Sequence, residues 1–118
     1  MKYIFHFIII VLLSSCGGKT EAVVNHTSPN GKVNITVTGK RSNTIEAFRT
    51  EIVVKAYELS EGKLIFEIYA DDLNGENVKF AWTDDKHCTI SIEQRDGATR
   101  NFALLATESS VQLAEIRQ

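Results

Sequence analysis

From residue 22 onwards, apolar and polar side chains alternate along the chain in short runs. In residues 33–38 every second residue is valine or isoleucine, and the residues between them are asparagine or threonine. Residues 78–83 repeat the pattern with valine, phenylalanine and tryptophan. A period of two places all the apolar side chains of a run on one face of an extended strand. The pattern therefore predicts β-strands with one buried and one exposed face.

Turn-forming residues separate these runs. Residues 29–31, 74–75 and 96–97 combine glycine with proline, asparagine or aspartate, as tight turns and hairpins require. No apolar repeat of helical period follows, and a parallel sheet needs helices of useful length as its crossovers. We therefore expect an all-β fold: an antiparallel meander of seven or eight strands forming a small sandwich or barrel. A chain of 118 residues is long enough for one such domain, which we assign to residues 22–118.

Three segments carry more specific expectations. Residues 45–58 form a β-rich run longer than a usual strand, and the alternation loses phase near residues 47–49, which predicts a bend or bulge there. Residues 63–70 are apolar on nearly both faces, which predicts a central strand. Residues 111–116 fit either a last strand or a helical turn, and we favour the strand.

The amino-terminal stretch has a different character. Lys2 is followed by an apolar run over residues 4–13, interrupted only by His6, and then by Ser14, Ser15 and Cys16. About 10 apolar residues are too few for a comfortable membrane span but match the apolar core of a signal peptide.

This arrangement resembles the signal peptide and lipobox of bacterial lipoproteins. The resemblance implies that residues 1–15 are removed and that Cys16 becomes an acylated amino terminus. Residues 16–21 then serve as a short tether to the membrane. The membrane is therefore one predicted partner of the chain. Cys16 is followed by Gly17 and Gly18, so the position directly after the cysteine is not aspartate. By the same resemblance, this implies a location in the cell envelope, with the periplasmic face of the outer membrane preferred.

The net charge and the lack of known site motifs argue against several other functions. The formal net charge is −2 and there is no basic stripe, so nucleic acid is not expected as a partner. The chain lacks CxxC, HExxH and glycine-rich phosphate-loop motifs, so we predict no cofactor, no metal and no catalytic residue. If Cys16 is acylated, Cys88 is the one remaining thiol. Its place in the apolar set of a predicted strand indicates a buried, inert cysteine.

Two groups of residues are candidates for a binding surface. Lys40 and Arg41 fall in a predicted polar loop at residues 39–44 that suits an acidic partner. Trp82, followed by Asp84 and Asp85, suits the floor and rim of a groove, although the alternation places Trp82 with the core. The acidic turn at residues 71–76 offers oxygen ligands, but it lacks the spacing of an EF-hand and is better explained as a solvated turn.

Residues 28–32 (SPNGK) and 82–85 (WTDD) resemble a turn and a strand ending found in blades of envelope β-propellers and in small bacterial lipoproteins. The resemblance implies local hairpin chemistry, because a chain of this length cannot close a propeller. Lysozyme-inhibitor lipoproteins are similar in architecture alone, each a small antiparallel barrel on a lipid anchor, but they usually have a disulfide for which this chain lacks the second cysteine.

From the anchor and the small β domain together we expect a non-catalytic accessory module that binds an envelope protein. The alternatives are an inhibitor or immunity protein that inserts residues 39–44 into a hydrolase, and an enzyme of an unrecognised kind.

Overall fold

The computed structural model describes residues 20–117, and Cys16, with the rest of the predicted signal and most of the tether, lies outside them. The described chain forms eight β-strands: β1 Thr20–Thr27, β2 Val33–Arg41, β3 Phe48–Ala56, β4 Ser60–Ile68, β5 Val78–Trp82, β6 His87–Glu93, β7 Thr99–Ala106 and β8 Val111–Ile116.

The strands form two antiparallel sheets of four strands each, ordered β1-β2-β3-β4 and β5-β6-β7-β8. Each sheet is a meander in which every strand pairs with the next one along the chain. The sheets pack against each other as a sandwich and do not close into a barrel. The predicted fold class is confirmed, and of the alternatives left open the structure has eight strands and a sandwich. Residues 111–116 are a strand, as favoured.

The core lies between the sheets and is built from the apolar side of the alternation. In β2 and β3 the two ends and every second residue between them are buried on the inner face, which is the pattern that a strand with one dry face must show. The largest fully buried side chains are Phe48, Phe102, Ile35, Ile52, Ile68, Ile90 and Ile92. At one edge of the sandwich β4 packs against β8, and at the other β1 meets β5.

The sandwich has two distinct ends. At the first, β1 begins beside the end of β2, where Thr20 pairs with Arg41, and β3 begins beside the end of β4, where Phe48 pairs with Ile68. We call this the proximal end, because the amino-terminal segment joins the domain there. The opposite, distal end carries the turns at residues 28–32, 57–59, 83–86 and 107–110.

Residues 69–77 connect the two sheets across the proximal end, from β4 to β5. Leu73 in this crossing segment is buried and lies so close to Gly39 that a Cβ at that position would overlap its Cδ1. The absence of a side chain at Gly39 is therefore what lets Leu73 cover Phe48 and close this end of the core.

Two strand predictions are wrong. The predicted long strand at residues 45–58 is shorter, because β3 begins at Phe48 and residues 42–47 form a loop. Its pairing with both neighbours is continuous, so there is no bulge at residues 47–49, and the backbone bends instead lie just before the strand, at residues 42–46. The strand predicted to be central, β4, lies at a sheet edge, where Ile65 on the outer face is 50% exposed. The second apolar face of β4 therefore carries an exposed isoleucine and does not pack against a second buried surface.

Candidate functional site

The structure separates the predicted site residues into two groups at opposite ends of the sandwich. Lys40 and Arg41 belong to the proximal end of β2. Trp82 ends β5 at the distal end, and Asp84 and Asp85 lie in the turn that follows it. The two predicted groups therefore lie apart on the domain, as two separate candidate surfaces.

Arg41 is a structural residue and not part of a protruding loop. Its side chain is buried, with the guanidinium 4.0 Å above the ring of Phe48. Nη1 donates to the carbonyl of Ala70 at 2.7 Å, and Nη2 donates to the carbonyl of Asp71 at 2.8 Å. Arg41 thus fixes the start of the crossing segment to β2. The buried Nε has no hydrogen-bond partner among the described residues.

Lys40 is exposed on the outer face of its sheet, paired across the ladder with Arg49. The predicted inserting loop at residues 39–44 is wrong in its first half, because residues 39–41 are strand and the loop begins at Ser42. That loop also lies at the proximal end. For the inhibitor alternative, the loop available for insertion is the shorter one at residues 42–47.

Trp82 occupies the open edge where β1 meets β5. Its Nε1 donates a 2.8 Å hydrogen bond to Nε2 of His26, and the His26 ring stacks on Phe80 with centroids 4.1 Å apart. Burial lowers the pKa of His26 below its usual value, because the charged ring is less well solvated there. Trp82 is half-buried and packs against the core. The core interpretation of Trp82 is therefore closer to the structure than a groove floor.

Asp84 organises the turn between β5 and β6. Its Oδ1 accepts hydrogen bonds from the backbone N–H groups of Lys86 and His87, each 2.8 Å long. The His87 ring lies 2.9 Å from the same carboxylate, and this side-chain hydrogen bond is the main cause that lowers the pKa of Asp84. Asp85 is exposed beside it. His87 points outward while Cys88 is buried, so the two do not form a nucleophile and base pair.

The acidic turn lines a shallow cleft of about 230 Å³ at the proximal end. Two of its polar side chains are hydrogen-bonded within the turn: Asp72 accepts from the backbone of Leu73, and Asn74 accepts from the backbone of Glu76. Within residues 20–117 no group of three or more His, Cys, Asp or Glu side chains is placed to hold a metal ion. The same part of the chain contains no helix with the length and apolar character to cross a membrane.

A larger concave surface lies at the distal end, and the sequence did not indicate it. It is a groove of about 660 Å³, which falls within the range of small ligand and peptide sites. We call it the distal groove. It is lined by Gly31, Lys32, Asn34, Lys55, Tyr57, Glu58, Leu59 and Glu108.

A strained turn forms one wall of the distal groove. Tyr57 and Glu58 have φ angles of 55° and 61°, in the left-handed region that non-glycine residues rarely adopt. The hydrogen bond from Leu59 N to Ala56 O closes the turn around them, as in the type I′ turns that usually contain asparagine and glycine. Neither tyrosine nor glutamate favours this backbone conformation, so the sequence does not predict the turn. The strain holds Tyr57 half-buried in the groove and leaves Leu59 78% exposed at its rim.

The chain matches no known protein-family model. Comparisons with curated proteins and with solved structures likewise found no match.

Proposed function

We propose that this chain is a lipid-anchored, non-catalytic accessory module of the bacterial cell envelope that binds another envelope protein through its distal groove. The lipobox at Cys16 supports the anchor and the location, with the periplasmic face of the outer membrane preferred. The observation that carries the proposal is the placement of the groove at the end of the sandwich opposite the point where the tether joins.

The geometry gives the groove a direction. The tether joins the domain at Thr20, which pairs with Arg41 at the end of β2. Asn34, near the start of β2, lines the groove. The strand between Arg41 and Asn34 rises by about 23 Å at ~3.3 Å per residue. A domain held by Cys16 therefore presents the groove away from the bilayer, where a periplasmic protein can reach it.

The lining of the groove suits a protein partner. Tyr57 offers a large amphipathic ring, the kind of side chain that dominates binding energy at interfaces. Leu59 adds exposed apolar area beside it, and lysines and glutamates form a rim of both signs. A strained backbone at this point is retained at a cost of about 1–2 kcal/mol per residue, which is typical of segments kept for recognition.

Photo-crosslinking in the native envelope tests the proposal. A benzophenone amino acid at Leu59 should give one discrete adduct with a protein, and the same probe at Ala103, exposed on the outer face of the other sheet, should not. The adduct should be lost in Tyr57→Ala. Equal adducts from both positions, or none from position 59, would refute binding at the groove. Incorporation of labelled palmitate, abolished by Cys16→Ala, tests the anchor separately.

A further inference from the structure

The proximal end displays large apolar side chains to solvent. Ile45 in the loop between β2 and β3 is 79% exposed, Tyr69 just after β4 is 57% exposed, and Ile116 at the end of β8 is 41% exposed. The strands next to them or containing them, β3, β4 and β8, begin or end at this end of the sandwich. We call these three residues the proximal rim.

The loop that carries Ile45 is held in a defined conformation. Oδ1 of Asn43 accepts hydrogen bonds from the backbone N–H groups of Ile45 and Glu46, each 3.0 Å long. On the other side, Nη2 of Arg95 donates to the carbonyl of Thr44 at 2.7 Å. Because the backbone on both sides of Ile45 is bonded, the exposed side chain is a fixed feature of the loop.

Arg95 also positions Tyr69. Its backbone N–H donates to the carbonyl of Tyr69 at 2.8 Å, and its Nε donates to the carboxylate of Asp71 at 2.9 Å. One residue of the β6–β7 hairpin therefore fixes the loop carrying Ile45 and the segment carrying Tyr69. Ile116 is placed independently, by the pairing of its neighbour Glu115 with Arg100 through hydrogen bonds of 2.7 and 2.8 Å.

The tether brings this end to the bilayer. Four residue steps separate Cys16 from Thr20, and at ~3.6 Å per residue they span at most about 14 Å. Thr20 pairs with Arg41, the residue before the loop of Ile45. If Cys16 is acylated, the proximal rim lies within reach of the lipid headgroups, and the distal groove does not.

We propose that the proximal rim inserts into the headgroup region of the membrane to which Cys16 is anchored, so that the domain stands upright with its groove outward. This proposal rests on the lipid anchor proposed above. Isoleucine and tyrosine are suited to this depth, since burial of apolar area drives interfacial binding and tyrosine is enriched at membrane interfaces.

The driving force is apolar and not electrostatic. Glu46 and Asp71 lie beside the proximal rim, as does Arg95, and Lys40 lines the same surface depression as Glu46, so the surface carries both signs. A surface of mixed charge gains little from anionic lipids. Docking should therefore occur on vesicles of zwitterionic phosphatidylcholine and should not weaken at high salt.

A matched pair of labels tests membrane docking. Ile45 and Leu59 are 79% and 78% exposed, so Ile45→Cys and Leu59→Cys place an environment-sensitive nitrobenzoxadiazole label at equally accessible positions at opposite ends. The full acylated chain is reconstituted into phosphatidylcholine vesicles, with and without nitroxide-labelled lipid. We expect a blue shift and at least twofold quenching at position 45, with neither at position 59. A label at Tyr69→Cys should be quenched as well, and less so when Ile45→Glu is added.

The outcomes separate the two proposals. Vesicle flotation with quenching at position 45 alone supports docking. Flotation with equal quenching at positions 45 and 59, or with quenching at neither, overturns docking and leaves the anchor standing. Failure of the processed chain to float with the vesicles overturns the anchor and the docking together.

Discussion

Trp82 donates its indole N–H to Nε2 of His26 over 2.8 Å, a contact between residues 56 positions apart that joins β5 to β1 at the open edge of the sandwich. The bond requires His26 to be neutral at Nε2, because a protonated imidazole has donors on both nitrogens and cannot accept. The ring of Phe80, which stacks on the face of the His26 imidazole, fixes the orientation of the imidazole. The edge is therefore sensitive to protonation of one side chain.

We predict that acid weakens this edge. The folded-state pKa of His26 lies below 6.5, its value when unfolded, because of burial. The unfolded chain therefore binds the proton more tightly, so the stability from neutral His26 is complete above pH 6.5 and is lost as the pH falls below it. The free energy of unfolding should therefore fall between about pH 7.5 and about pH 5.5.

Urea unfolding at the two pH values measures this effect, and His26→Gln, which accepts the same bond but does not titrate, should reduce it. The chain has a single tryptophan, so its indole N–H resonance reports the bond directly. That resonance should shift as His26 titrates in the wild-type chain and stay constant in His26→Gln. A pH dependence of stability unchanged in the variant would contradict the prediction.

Replacing Arg41, which is buried at the proximal end, should destabilise the fold. Arg41→Met removes two charge-assisted hydrogen bonds to the crossing segment and leaves the carbonyl of Asp71 without this donor. We expect a loss of about 2–3 kcal/mol in the free energy of unfolding. The neighbouring exposed Lys40→Met serves as the control and should change stability by less than ~0.5 kcal/mol. Equal effects of the two substitutions on denaturant midpoints would show that Arg41 does not fasten this segment.

Gly39→Ala should disturb the cover over the core at the proximal end. The new Cβ would overlap Leu73 and lie 3.0 Å from Cδ1 of Phe48, both of which are buried. We expect a cost of about 1–3 kcal/mol from this overpacking. Gly75→Ala is the matched control, because nothing lies within 4 Å of the position that its added methyl group would take, and its φ is not in the left-handed region. Thermal unfolding should distinguish the two, and equal melting temperatures would contradict the close approach.

Relief of strain in the distal turn should stabilise the protein. Glu58→Gly allows the φ of 61° without the steric penalty of a side chain. After allowance for the greater freedom of glycine in the unfolded chain, we expect a gain of about 0.5–1 kcal/mol. Glu61→Gly, in the regular part of β4, should instead destabilise. If Glu58→Gly also lowers the unfolding midpoint, the turn is not strained.

Cys88 should be unreactive in the folded chain. Burial raises the pKa of the Cys88 thiol to about 11, so little thiolate exists at neutral pH. We expect reaction with a disulfide-exchange reagent to be about two orders of magnitude slower than in urea, where the thiol returns to its ordinary pKa. The measurement uses a chain in which Cys16 is acylated or replaced by serine. Rapid labelling without urea would show that the thiol is accessible.

The fold class and most of the strands could be predicted from the amino-acid order, because alternation with a period of two is a local property of the chain. Residues 33–38 and 78–82 carry this pattern without interruption, and both are strands. The pattern was less reliable at strand ends. Residues 45–47 precede the strand without any turn-forming residue between them, yet they lie in a loop in which Asn43 bonds the backbone of Ile45 and Glu46.

Which side chains meet depends on the packing of the two sheets. Arg41 donates to carbonyl groups about 30 residues away. It is therefore a buried residue that holds the crossing segment to β2, and not a loop residue. The left-handed backbone of Tyr57 and Glu58 is imposed by the pairing of β3 with β4, and no local preference of those residues predicts it. The reason is physical: alternation sets the direction of each side chain within its own strand, whereas contacts across a sandwich depend on how two sheets are stacked and connected.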